Sequence, residues 1–280
     1  MLPVSAAAKI LIGLDLDGTV IHDDESADAD LSAALKRLDA APHVEVVLAT
    51  GRAIDAGVRV AEKLQLTPDW LVTCNGAVTL RRDPHTAKLQ PYRVHTFNAT
   101  EMLENVRQQL PGAAIAVEGA DGNFYYTAEM PGKTLPDNRF EVSFEELLRV
   151  EATRVVATSP AHSVAEFFER MELLGYTHTA YVVGDTAWLD AAPNGINKAS
   201  ALAPIAAELG VPGEHVFVAG DGMNDLQMLS WAKERGGMAV AMGQAYSEVR
   251  DTASFVTGTI DEGGLLTALR HFKPIQDLLP

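Results

Sequence analysis

Asp15 and Asp17 close a short apolar run, Ile10-Leu11-Ile12-Gly13-Leu14, and are followed at once by Gly18 and Thr19. Alternation along an extended chain sends both carboxylates to one face and Leu16 to the other. Two carboxylates on one side suit a hard cation or acid–base work, because like charges raise one pKa unless something neutralises them. The D-x-D-G spacing also matches the start of a calcium loop. Counting from Asp15, however, loop places 5, 6 and 12 hold Thr19, Val20 and Ser26 instead of a ligand, a glycine and a glutamate. A dinucleotide site would need G-x-G-x-x-G after this first strand, and aspartates stand there instead. A solvated acidic turn at a strand end is the ordinary alternative.

Three more stretches carry compatible chemistry. Thr50-Gly51 offers a hydroxyl and an approachable backbone amide, Lys198 a cation on a long stem, and Asp221, Asn224 and Asp225 a second acidic group. Oxygen ligands with retained water suit magnesium. A cation, a lysine and amide donors suit a phosphoryl group, whose transfer needs positioning and charge stabilisation. Taken singly, Thr50-Gly51 reads as a turn and Lys198 as a surface helix residue. Their order and placement are harder to explain by accident.

The elements around these residues explain why they should meet. Buried-type strands are expected at Ile10–Leu14, Val44–Ala49, Trp70–Thr73 and Val216–Ala219, with late strands at Met238–Val240 and Phe255–Val256. Helical spacing follows in Leu31, Leu35 and Leu38, in Val58, Ala61 and Leu64, and from Lys198 through Leu202, Ile205 and Leu209. Strands alternating with helices predict a parallel sheet, and in such sheets ligands bind beyond the carboxyl ends of the strands. Each chemical stretch falls at such an end or at a helix start. Asn75-Gly76, after the third strand, reads as a hairpin turn.

From Arg82-Asp83-Pro84-His85 to about Asp190 the rhythm is less regular. Strands are expected at Val94–Phe97, Ala113–Val117, Val155–Thr158 and Ala180–Val183, and capping boxes at Asn98/Glu101, Ser143/Glu146 and Ser163/Glu166. Val164, Phe167, Phe168, Met171 and Leu174 form an amphipathic stripe. The expected fold class is α/β: a Rossmann-like parallel-sheet core (residues 1–82 and 190–280) with an inserted α+β cap domain (residues 83–189). Polar or aromatic cap residues able to reach a ligand include Glu118, Tyr125, Tyr126 and Trp188.

The 280 residues carry 47% hydrophobic and 21% charged side chains, a globular composition. A formal net charge of −16 argues against nucleic acid and anionic membranes as partners. The single cysteine, Cys74, excludes an internal disulfide and suits a reducing compartment. Met1–Ala8 lacks a basic leader region and reads as a short loose tail, so a cytoplasmic location is expected. Oligomeric state leaves no mark in the sequence.

Asp15-Leu16-Asp17-Gly18-Thr19, Thr50-Gly51-Arg52, Lys198 and Gly220-Asp221-Gly222-Met223-Asn224-Asp225 together resemble the four motifs of the haloacid dehalogenase superfamily. The long insertion after the second motif, with Asn75-Gly76-Ala77 before it, is similar to the Cof-like phosphatase branch. This resemblance implies a magnesium-dependent phosphatase acting on small phosphorylated metabolites such as sugar phosphates. Asp15 would be the nucleophile that forms an aspartyl-phosphate, and Asp17 the acid and base. Magnesium would be held by Asp15, the backbone carbonyl of Asp17 and Asp221, with Asp225 orienting bound waters. Thr50, the amides of Gly51 and Leu16, Lys198 and Asn224 would hold phosphoryl oxygens. Lys198 is followed by Ala199, where many relatives have glycine. A phosphotransferase such as a sugar phosphomutase, and a non-catalytic ligand-binding regulator on the same scaffold, are the competing readings.

Overall fold

A computed structural model describes residues 8–131, 135–172, 178–183 and 186–279. The expected tail, Met1 to Ala8, lies outside them except for Ala8, as does Leu174 of the amphipathic stripe; the side chain of Met171 is likewise not described. The chain divides into two compact units, one of residues 1–52, 56–92 and 197–280, the other of residues 53–55 and 93–196.

The first unit begins with β1 (Ile10–Leu14), α1 (Ala29–Asp39), β2 (Val44–Ala49), α2 (Ile54–Lys63), β3 (Trp70–Thr73), β4 (Val78–Arg82) and β5 (Leu89–Val94). The second unit contributes β6 (Phe97–Asn98), α3 (Thr100–Gln109), β7 (Ala114–Gly119), β8 (Phe124–Tyr126), β9 (Arg139–Glu141), α4 (Phe144–Leu147), β10 (Glu151–Thr158), α5 (Val164–Glu172), β11 (His178–Val183) and β12 (Thr186–Ala191). The chain then returns to the first unit with α6 (Lys198–Glu208), β13 (Val216–Gly220), α7 (Leu226–Glu234), β14 (Met238–Ala241), α8 (Ser247–Thr252), β15 (Phe255–Val256) and α9 (Gly264–His271).

In the first unit one sheet runs β15-β14-β13-β1-β2-β3-β4-β5. Its strands from β15 to β3 are parallel, and β4 turns back antiparallel on β3. Every residue of β1, β2 and β13 is buried, as strands covered on both faces require. Leu11, Val47, Val72 and Val218 pack with Leu202 and Ile205 of α6 and Met228 and Leu229 of α7. Leu31, Leu35 and Leu38 bury the inner stripe of α1, whose first turn is capped by the Asp28 carboxylate. Arg82-Asp83-Pro84-His85 starts the β4–β5 turn, where the Asp83 carboxylate accepts the amides of His85 and Thr86 at 2.8 Å. The chain change expected there is therefore a turn within this sheet, since β5 still pairs beside β4.

The second unit's sheet runs β11-β12-β10-β7-β8-β9, with β6 on β10. Alternation in β7 sorts its faces: Ile115 and Val117 pack with Leu103, Val106 and Phe167 of the helices, while Ala114 and Ala116 pack with Phe124, Tyr126 and Trp188. The predicted Ser143 and Ser163 boxes form, each hydroxyl reaching the paired glutamate at 2.7 Å. The predicted Asn98/Glu101 box does not. Asn98 is held in β6 opposite Glu151, so Ala99 takes the cap position and the Asn98 side chain accepts from the Thr100 amide. Val94–Phe97 is likewise two strands, β5 ending at Val94 and β6 starting at Phe97. Among the described residues no helix is long and apolar enough to cross a membrane.

Candidate active site

Three adjacent parallel strands, β13, β1 and β2, end at the same edge of the sheet and release Asp221, Asp15 and Thr50 there. Asp15 is continuous with the sheet, its amide donating to the Ala219 carbonyl at 3.0 Å. From α6, Lys198 extends a fully buried side chain into this edge. Its ammonium donates to Asp15 Oδ1 at 2.5 Å and to Asp225 Oδ1 at 2.6 Å. Asn197 caps α6 by accepting the Ser200 amide, which fixes where Lys198 starts. The expectation of a surface lysine is thereby excluded.

Asp15, Asp221 and Asp225 offer carboxylate oxygens within 4.8 Å of one another. Burial pushes the Asp15 carboxyl well up, Asp225 adds to the rise, and Lys198 opposes it. Asp221 is pushed up to about 6 by burial and then by Asp225. Three carboxylates against one ammonium leave two negative charges uncompensated, which a divalent cation would balance. The hard oxygen donors suit magnesium. Asp225 is already engaged on both oxygens: Oδ1 by Lys198, and Oδ2 by the amides of Asp221 at 3.0 Å and Gly222 at 2.9 Å. Asp15 and Asp221 are the two carboxylates of the trio with oxygens left to serve as direct ligands.

Asp17 stands apart from this trio. Its carboxylate is gripped by the Arg52 guanidinium, with Nη2 at 2.7 Å and Nε at 3.0 Å, and its side chain is half exposed. The same guanidinium also pairs with Glu25. Gly18, between Asp17 and Thr19, has φ +73°, and a Cβ there would lie 2.2 Å from Asp221 Oδ2. Leu16 is buried, and its carbonyl accepts the amides of Val20 and Ile21, which folds the loop back on itself.

The Thr50 hydroxyl is buried and accepts the Arg52 amide at 3.0 Å, leaving its own proton to donate. Gly51 lies against Asn75, whose Oδ1 accepts from Asn224 Nδ2 at 2.9 Å. The structure thus brings Asp15, Lys198, Asp221 and Asp225 into direct contact or near contact. It links Thr50, Gly51 and Asn224 through Asn75, and it ties Asp17 to Arg52. Four participants were not singled out from the sequence as site residues: Arg52, Glu25, Asn75 and Gln244. The Gln244 amide donates to the Gly18 carbonyl at 2.5 Å and lies 3.3 Å from Asp221. Of these, Arg52 stood in the second motif without a site role and Asn75-Gly76 carried a turn signal; Glu25 and Gln244 carried none.

The cap residues singled out earlier are engaged within the second unit. Tyr125 donates to Asp121 at 2.8 Å and Tyr126 to Glu129 at 3.1 Å. Glu118 is fully buried beside Arg154, which forks onto Asp190, and Trp188 is buried on the same sheet face as Tyr126.

A profile of the family described as haloacid dehalogenase-like hydrolase matches residues 12–269. The phosphatase YcsE of Bacillus subtilis, named for 5-amino-6-(5-phospho-D-ribitylamino)uracil, is 28% identical over 94% of this chain and 95% of its own. A second B. subtilis phosphatase named for that compound, YitU, is 27% identical over 94% of this chain and 97% of its own. Among solved structures, the haloalkanoate-superfamily phosphatase BT1666 of Bacteroides thetaiotaomicron superposes with a TM-score of 0.72 at 26% identity, covering 98% of this chain and 99% of that one. The buried carboxylates and lysine, at the edge where β13, β1 and β2 end, thus sit in a chain that belongs to the haloacid dehalogenase-like hydrolases, in their Cof-like phosphatase branch.

Proposed function

We propose that this protein is a cytoplasmic, magnesium-dependent phosphatase that hydrolyses small phosphorylated metabolites, sugar phosphates in particular, through an aspartyl-phosphate on Asp15. The observation that carries this reading is Lys198, fully buried and bonded at once to Asp15 and Asp225 beside Asp221. A buried ammonium of this kind holds a nucleophilic carboxylate in place and supplies positive charge where phosphoryl oxygens would gather. The phosphorylated ribityl compound for which the B. subtilis relatives are named supports a small, hydroxyl-rich leaving group.

Asp15 attacks phosphorus while Asp17 gives its proton to the departing ester oxygen. Asp17 then takes a proton from the water that cleaves the acyl phosphate, so it ends as it began. Thr50, the amides of Leu16 and Gly51, Asn224 and Lys198 hold the transferred group. Asp15, the carbonyl of Asp17 and Asp221 would hold a magnesium ion, and Asp225 would act through water bound to it. Such an ion would supply charge neutralisation for the nucleophile and the phosphoryl oxygens. The Arg52 guanidinium occupies both Asp17 carboxylate oxygens, so Asp17 must leave that fork to exchange a proton with the substrate.

Phosphate release from a panel of sugar and polyol phosphates tests the reading. Release should stop with EDTA, return with magnesium, and be abolished in Asp15→Asn while circular dichroism stays unchanged. Near-parental release by Asp15→Asn would end the assignment of the nucleophile.

A further inference from the structure

We infer that the Asn75 carboxamide is a positioning residue that sets Asn224 against the phosphoryl pocket, and that the turn carrying it ties three of the four site loops together. The inference rests on the proposed phosphatase reading of the site and adds a part to it.

Cys74, Asn75 and Gly76 follow β3 with φ of 52°, 53° and 103°. Two of these three are not glycine, so the path carries backbone strain at Cys74 and Asn75, which asparagine tolerates better than most residues, and none at Gly76. A plain hairpin between β3 and β4 would not need such a path. The contacts show what the path accomplishes. The Cys74 amide donates to the Arg52 carbonyl at 2.9 Å and the Asn75 amide to the Thr50 carbonyl at 3.1 Å. These two bonds fasten both ends of the Thr50–Arg52 loop. Gly76 meets the start of α6, and a Cβ there would fall 2.2 Å from the Asn197 carbonyl oxygen, one residue before Lys198. The Asn75 side chain reaches the third loop: its Oδ1 accepts from Asn224 Nδ2 at 2.9 Å. That bond uses one of the two Asn224 amide protons and fixes the plane in which the other points. The same carboxamide lies against the Gly51 backbone, 3.0 Å from where a Cβ would be.

Asn75→Gly separates positioning from structure. Glycine adopts the positive φ without strain, and this gain offsets the extra freedom of the unfolded chain, so the unfolding midpoint should stay near that of the parent. Only the carboxamide is lost. A mis-set Asn224 loses a charge-assisted hydrogen bond made in both the bound substrate and the transition state. KM and the inhibition constant for inorganic phosphate should therefore both rise roughly 10-fold or more, with kcat changed far less. Because Asn75 acts through Asn224, the double variant Asn75→Gly/Asn224→Ala should be no worse than Asn224→Ala alone. A lower midpoint with reduced kcat and parental KM would show a merely structural turn and overturn the inference. So would fully additive effects in the double variant, or parental KM and phosphate inhibition in Asn75→Gly. Absence of phosphate release by the parent protein would instead strike the proposed function.

Discussion

Replacing Lys198 with methionine keeps the length and apolar stem of the side chain and deletes its charge. Asp15 and Asp225 lose partners at 2.5 and 2.6 Å, and three carboxylates within 4.8 Å of one another are left without a cation. Breaking a buried ion cluster in this way costs about 3–5 kcal/mol. The cost should depend on pH, with a definite sign. Asp15 and Asp221 already have carboxyls raised above their ordinary value, Asp221 to about 6, and removing the ammonium raises them further. Between its unfolded and its raised folded pKa, a carboxyl binds more protons when folded, so stability falls as pH rises through that window. Urea midpoints of Lys198→Met should therefore fall far below the parent at about pH 8 and approach it near about pH 5, where the carboxyls are protonated. Magnesium should recover part of the loss at the higher pH, about 2.7 kcal/mol at a hundredfold excess over its dissociation constant. A loss of the same size at both pH values, unmoved by magnesium, would refute the argument that carboxylate repulsion sets the cost.

Magnesium titrations of activity should show a larger rise in the required concentration for Asp221→Asn than for Asp225→Asn, because Asp225 spends both oxygens on Lys198 and backbone amides; equal or reversed shifts would remove that distinction. At the other end of β2, burial and the charge of Asp69 push Glu45 up to about 7. Its ionisation therefore works against folding as pH rises from about 4.5 to about 7, so Glu45→Gln should stabilise the protein at about pH 8 by at most about 3 kcal/mol, read as a higher thermal midpoint, and change stability little near about pH 4.

The parallel core was readable because buried strands such as Val216–Ala219 carry uninterrupted apolar runs, and because the charged residues of the site come where those runs stop. Asp15, Lys198, Asp221 and Asp225 were readable for the same reason, and their meeting follows from strand order. Arg52 stood in the second motif, but its pairing with Glu25 was not readable, since an ion pair across 27 positions leaves no periodicity. Asn75 announced a turn, but its reach to Asn224, 149 residues away, depends on the three successive positive φ values. The Asn98 cap failed because a local spacing rule cannot see that β10 claims the same backbone. Gln244 sits in a loop after β14 and gave no signal at all.

The central strand of the first sheet has a history as well as a place. β1 pairs with β2, made soon after it, and with β13, which follows roughly two hundred residues later. At about 5–20 residues per second, a ribosome leaves that second side of β1 open for some tens of seconds. Through that interval Ile10–Leu14 presents an unpaired, wholly apolar strand edge, the kind of template on which nascent chains stick to one another. The entire 93–196 unit is synthesised within the wait, and it can fold before its host does. A nascent chain stalled before Val216 should therefore depend on chaperones that shield strand edges, whereas release after β13 should end that dependence.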